Sequence, residues 1–261
     1  MKIQLIRNAT LKLRFAEVNF LIDPFLAEKH TLPSFAGKSN NPTSDLPISV
    51  EEILQEIDYV NISHLHPDHF DDAAKNLIPK STPILCQSAD LESIKKAGFL
   101  NVEIIDNSSI IKGIEITRTN GQHGEGIILP YMGPVSGFIF KHSQEQCLYW
   151  LGDTIWYEEV VENLKKHNPA VVVCHAGGNK FFKEYSIFGP NTAFDTESLI
   201  MDQTQVLQLC NYNPDLTVIA THLGALDHET ITRKDLRTFA HLNGIVEERL
   251  KIPENGEEII I

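Results

Sequence analysis

Positive charge is scarce in this chain: 22 lysines and arginines face 35 acidic residues, for a formal net charge of −13. A broad basic face for nucleic acid is thereby excluded. No apolar run approaches the length of a membrane span, so no membrane partner is expected. The start, Met1-Lys2-Ile3-Gln4, lacks the apolar core and cleavage site of a secretory signal, and a cytoplasmic protein is the expectation. Cysteine is also sparse. The four residues (Cys86, Cys147, Cys174, Cys210) form no Cys-x-x-Cys pair and sit in or beside apolar stretches. That placement predicts reduced core thiols rather than disulfides or a thiolate metal site. There is no Gly/Ser linker, composition break or short-period repeat. The 261 residues, 42% of them hydrophobic, therefore read as one α/β domain over 1–261 with a substantial core. Self-association into a homo-oligomer stays open at this level.

What is present is an alternation of short apolar runs and amphipathic segments. Strands are predicted over 3–6, 11–15 and 18–22, the last two joined by a tight turn at Ala16-Glu17. Residues 24–47, punctuated by Pro33, Gly37, Asn40, Asn41, Pro42 and Pro47, read as a long loop, either one that covers a cavity or a mobile surface insertion. Ser49-Val50-Glu51-Glu52 is a capping box for a helix to about residue 57. A strand over 58–63, helices over 71–77 and 89–97, and strands near Ile84 and Val102 complete a first half. Strands over 114–119, 137–141, 147–151, 170–174 and 216–220 follow. Helices interleave with them over 158–166, over 202–209 behind Asp202, and over 232–242 before Gly244. This mixture suits two packed sheets with helices outside.

The densest chemistry is His64-Leu65-His66-Pro67-Asp68-His69, directly after an apolar run. Imidazole and carboxylate suit zinc, manganese and iron. His64 and His66 lie two apart, so an extended backbone turns both rings to one side. Pro67 then bends the chain and brings Asp68 and His69 in from another direction. Four such neighbours crowd a single tetrahedral ion but suit two adjacent ones.

This stretch resembles the His-x-His-x-Asp-His signature of the metallo-β-lactamase-fold hydrolases, and later motifs of that family follow in order. Gly121-Gln122-His123-Gly124 resembles the third motif, Leu151-Gly152-Asp153-Thr154 the fourth and Ala220-Thr221-His222-Leu223-Gly224 the fifth. Leu21-Ile22-Asp23-Pro24 is similar to the first. The wording Ile-Asp-Pro-Phe and Gly-Asp-Thr is closest to the branch holding L-ascorbate-6-phosphate lactonase. The resemblance implies a four-layer αββα sandwich with metals at one edge between the sheets. It also implies that His64, His66 and His123 hold one ion, Asp68, His69 and His222 the other, and that Asp153 bridges. Two departures stand out. Arg7-Asn8-Ala9 replaces the Gly-His pair frequent near the first strand of the lactonase branch. His66 stands where diiron oxygen reductases commonly have glutamate.

Two close divalent ions, zinc before manganese or iron, lower the pKa of a shared water enough to give hydroxide near neutral pH. The predicted activity is metal-dependent hydrolysis of an ester, lactone, amide or phosphoester bond in a small molecule. Ion charge dominates its surroundings, so an anionic metabolite is compatible with an acidic chain. Asp68 is the expected catalytic carboxylate, orienting the nucleophile or moving a proton. Asp23 is expected to orient a ligand histidine. His175, after a buried-looking strand, and His228, beside the His222 loop, are candidates for ligand support or substrate contact. An exposed loop is the plainer expectation for Asp227 and His228. Tyr131, Trp156 and Tyr157 are candidates for substrate-facing surface. A diiron oxidoreductase and a non-catalytic metal-retaining sensor are the alternative functions.

Overall fold

The computed structural model describes residues 1–189, 192 and 194–261. The first half of the chain runs β1 (Lys2–Arg7), β2 (Thr10–Phe15), β3 (Val18–Ile22), α1 (Val50–Leu54), β4 (Tyr59–Asn61), α2 (Asp72–Leu77), β5 (Ile84–Cys86), α3 (Leu91–Lys96) and β6 (Val102–Ile104). The second half runs β7 (Ser108–Ile111), β8 (Ile114–Asn120), α4 (Leu129–Met132), β9 (Ser136–Lys141), β10 (Leu148–Trp150), α5 (Glu158–His167) and β11 (Val171–His175). It closes with α6 (Gln203–Tyr212), β12 (Thr217–Thr221), α7 (Arg233–Leu242), β13 (Leu250–Lys251) and β14 (Glu258–Ile260).

The strands form two seven-stranded sheets, ordered β14-β1-β2-β3-β4-β5-β6 and β13-β12-β11-β10-β9-β8-β7. Side-chain parity along each strand builds the layers. On β11, Val171 and Val173 pack between the sheets with Phe20, Phe138, Phe140 and Trp150. Val172 and Cys174 point the other way, onto Val160 and Leu164 of α5 and Val206 and Leu209 of α6. The first sheet does the same: Val60 and Ile84 back onto Ile53, Ala74 and Ile94 of α1, α2 and α3. The result is the αββα sandwich.

Local signals set several boundaries. Ser49 accepts from Glu52 N while the Glu52 side chain accepts from Ser49 N, and the helix so capped ends at Leu54, earlier than the predicted 57. Thr232 and Asp235 form a second capping box at α7, and Asp202 caps α6. β7, β13 and β14 lack a predicted counterpart. They are two to four residues long at or near sheet edges, too short to show a period, and exist through pairing with β8, β12 and β1. Among the described residues, no helix is long and apolar enough to cross a membrane.

Strand direction positions the site. β3 and β4 are parallel, as are β10, β11 and β12, and β8 shares the direction of β10 across the antiparallel β9. Their carboxyl ends therefore emerge at one edge of the sandwich, where loops can converge while rigid sheets hold their roots.

Candidate metal centre

Seven residues of the sequence-derived set gather at this edge. His64, His66, Asp68 and His69 follow β4, His123 follows β8, Asp153 follows β10 and His222 follows β12. Asp153 is the hub. Its Oδ2 lies 3.1 Å from His69 Nε2, 3.2 Å from His123 Nε2 and 3.8 Å from His64 Nε2. Asp68 Oδ2 lies 3.2 Å from His222 Nε2 and 3.5 Å from His69 Nε2.

Two groupings bring four donor atoms within 4.8 Å of one another: His64, His66, His123 and Asp153, and then His69, Asp153, His175 and His222. The second differs from the division implied by resemblance, since His175 takes the place of Asp68. Parity explains why. His175 is the last residue of β11 and continues the inter-sheet face of Val171 and Val173, with its ring against the edge of Trp150 at 5.3 Å. From there Nδ1 lies 2.5 Å from Asp153 Oδ1.

Buried supports orient the imidazoles. Asp23 accepts from His69 Nδ1 at 2.6 Å, from Ser63 N at 2.8 Å and from Ser63 Oγ at 2.6 Å. Ser63 Oγ is also 2.8 Å from His64 Nδ1, so one carboxylate steers two rings. His123 Nδ1 faces the Leu199 carbonyl at 2.9 Å. Asn8, where the sequence departs from the lactonase branch, donates from Nδ2 to the Asp68 carbonyl and to Asp68 Oδ2. That amide also lies 3.2 Å from His222 Nε2. Asn8, Asp23 and His222 all adopt left-handed backbone, at φ 57, 44 and 60 degrees. Such conformations cost energy and persist where surroundings over-determine them, as in binding sites.

The electrostatics call for a cation. Burial alone would raise the Asp153 carboxyl, but His69, His123 and His222 outweigh it and hold the group well below the ordinary carboxylate range. Burial opposes protonation of His69, yet Asp153, Asp68 and Asp23 hold its pKa well above the usual value. Burial pushes His66 down to about 4. His64 Nε2 and His69 Nε2, both facing Asp153, are buried without a hydrogen bond of acceptable geometry. Unpaired imidazole nitrogens among carboxylates fit a nitrogen- and oxygen-liganded divalent cation.

A cavity of about 200 Å³ opens beside the cluster. His66, Asp68, His123, Asp153 and His222 form one wall, and Phe35, Tyr131, Phe181, Phe188 and Leu199 dominate the other. Trp156 and Tyr157 are not part of it. They pack onto the core beside α5 and α6.

This family of folds is shared with known proteins. A model of the beta-lactamase superfamily domain matches residues 18–223. The UPF0173 protein YddR of Bacillus subtilis (strain 168) is 37% identical over 98% of both chains. The chain belongs to the UPF0173 metal-dependent hydrolase family of the beta-lactamase superfamily. Two solved structures match its whole length. A possible metal-dependent hydrolase from Veillonella parvula DSM 2008 is 36% identical, with a TM-score of 0.91 and coverage of 100% and 99%. An isothiocyanate hydrolase from Delia radicum gut bacteria is 33% identical, with a TM-score of 0.89 and the same coverage.

The loop over 24–47 differs from a plain surface insertion. Arg7, fully buried, donates to the carbonyls of Phe25, Ala27 and Ser44 and anchors both ends. Asp227 holds the middle. Its carboxylate accepts from Ser34 Oγ, from the amides of Phe35, Ala36, Lys38 and Ser39, and from Asn41 Nδ2. The expectation of an exposed loop at Asp227 and His228 is thus corrected: both are buried, because residues 34–41 wrap them. No sequence signal marks that clasp, since its partners lie nearly 200 positions apart.

Proposed function

We propose that this member of the UPF0173 family hydrolyses a small uncharged electrophile, an isothiocyanate with an apolar substituent. The observation behind this reading is a cavity with metal-liganding side chains on one wall and aromatic side chains on the other. No lysine or arginine is among its described lining residues. A phosphorylated sugar lactone, the substrate type of the branch the motifs resemble, is commonly held by lysine or arginine, and neither is among the described lining residues. An apolar organic group gains by leaving water for such a wall. The likeness to the isothiocyanate hydrolase of Delia radicum gut bacteria, over the full chain, supports the same class.

Two divalent cations, zinc first by donor chemistry, would supply a hydroxide at neutral pH and polarise the substrate. His64, His66 and His123 would hold one, His69, His222 and Asp68 or His175 the other, with Asp153 between them. Asp68 lines the cavity and is held by Asn8, so it is placed to orient the attacking water and accept its proton. The aromatic wall keeps bulk water out and fixes the substituent. In the overall reaction a carbon–oxygen bond forms at the central carbon, the carbon–nitrogen π bond opens, and nitrogen takes a proton. A thiocarbamate results.

The test is an assay of metal-loaded protein with benzyl isothiocyanate, a sugar lactone and a nitrophenyl phosphodiester, with oxygen uptake followed in parallel. Loss of the isothiocyanate well above the buffer rate, abolished by chelation and restored by zinc, is expected. Faster turnover of either other substrate, or oxygen consumption, would replace this reading.

A further inference from the structure

The aromatic cluster beside the metal centre is only partly covered. Phe188 is its middle. Its ring stands at 90° to Phe181 with centroids 5.2 Å apart, at 69° to Phe194 at 5.6 Å and at 60° to Tyr131 at 5.3 Å. Tyr131 also meets Phe194 edge-on at 4.9 Å. The rings packed between the sheets, Phe138, Phe140 and Trp150, are fully buried. In this cluster Phe181 and Phe194 are buried, but Phe188 is half-buried and Tyr131 is 48% exposed. Both line the cavity, so incompletely covered ring surface forms part of its wall.

The chain ties that wall to the metal ligands. Tyr131 and His123 belong to one excursion between β8 and β9. Leu199, from the segment that carries Phe181 and Phe188, turns its side chain to the cavity while its carbonyl faces His123 Nδ1 at 2.9 Å. A reactive group held at the metals therefore has its substituent beside these rings. The cavity, about 200 Å³, is smaller than the roughly 300 Å³ at which drug-sized pockets begin, which suits a substituent of one ring. Rings tilted against one another offer edges and faces to a guest ring, the contacts aromatic pairs prefer. A cation, the other guest of aromatic walls, is disfavoured by divalent ions close by.

We propose that Tyr131 and Phe188 are specificity-determining residues that seat an aromatic substituent, so that arylalkyl isothiocyanates are preferred over saturated ones of similar size. This rests on the isothiocyanate reading and narrows it from any apolar substituent to an arene. Burial of apolar area does not separate the two, because a saturated ring also gains by leaving water. Edge-to-face and offset contacts are open to the arene alone. They form with the bound substrate and persist in the transition state, so their loss falls on KM more than on kcat.

The test compares benzyl with cyclohexylmethyl isothiocyanate on the metal-loaded full chain, each corrected for its rate in buffer. The parent is expected to show kcat/KM about tenfold higher for the benzyl compound. F188L and Y131L keep the wall apolar but remove a ring. In each, the preference is expected to fall within about threefold, through a higher KM for the benzyl compound and with metal content intact. Tyr131 is half-exposed, so Y131L carries the test should F188L fail to fold. A parent without aryl preference, or variants that lose both substrates equally, overturns the assignment. Should the parent hydrolyse neither compound, the substrate reading fails by itself. The wall is then judged by calorimetric titration of the zinc-loaded protein with benzyl mercaptan and cyclohexylmethanethiol, whose thiolates bind the metal. Tighter binding of the aryl thiol that is lost in Y131L upholds the aromatic seat, and equal affinities overturn it.

Discussion

D153A is expected to strip the protein of most of its bound metal and to lower hydrolysis on the order of 10³-fold. Asp153 Oδ2 lies near three imidazoles at once, at 3.1 to 3.8 Å from His69, His123 and His64. Removing it leaves those rings with no shared anion and frees His175 Nδ1 from its 2.5 Å partner. Plasma mass spectrometry of purified variant and parent reads the metal directly, and a thermal melt separates metal loss from unfolding. A variant that retains full metal and turnover would refute the hub role. D153N is the informative companion. It keeps the shape but replaces the charge, so partial metal retention with little activity is expected.

D227A is expected to release residues 34–41 from the cavity while leaving the metal content unchanged. Six donors converge on that carboxylate. Truncation leaves the amides of Phe35, Lys38 and Ser39 without their acceptor, at a cost of about 3 kcal/mol. Because the segment presents Phe35 to both the cavity and His228, KM should rise more than kcat falls. Hydrogen exchange at the amides of Phe35, Ala36, Lys38 and Ser39 should accelerate selectively, and unchanged protection there would contradict the clasp. The pH dependence has a definite sign. Burial works to raise Asp227, but Ser34, Phe35, Asn41 and Ser39 outweigh it and bring the carboxyl down to about 2. A depressed folded-state value means the clasp contributes fully above the ordinary carboxylate range and weakens as pH falls through about 2. The D227A variant should lack this acid limb in a melting profile.

The centre was legible where ligands are close in sequence or follow recognisable wording. His64 to His69 form one loop, and His123, Asp153 and His222 each follow an apolar strand in the order the resemblance implies. The layers were legible too, because alternation along runs such as Val171 to Cys174 encodes two buried faces. Contacts between distant segments were not. The bond from His175 to Asp153 depends on the parity of β11 and on the pairing of β10 with β11, neither of which shows in the wording Cys-His-Ala-Gly-Gly. Asn8 was visible only as a departure, and its amide proves to lie between Asp68 and His222. His228 and Asp227 look like ordinary loop residues until the segment over 34–41 folds onto them.

Anomalous scattering from zinc-loaded crystals, measured on either side of the metal's absorption edge, tests the convergence of these side chains most directly. The expected map has a peak about 2.0–2.1 Å from nitrogens of His64, His66 and His123, and a second peak among His69, His222 and the Asp153 carboxylate. A map with no peak in that cluster, or with its metal bound elsewhere on the molecule, would contradict the metal centre and the hydrolytic reading built on it.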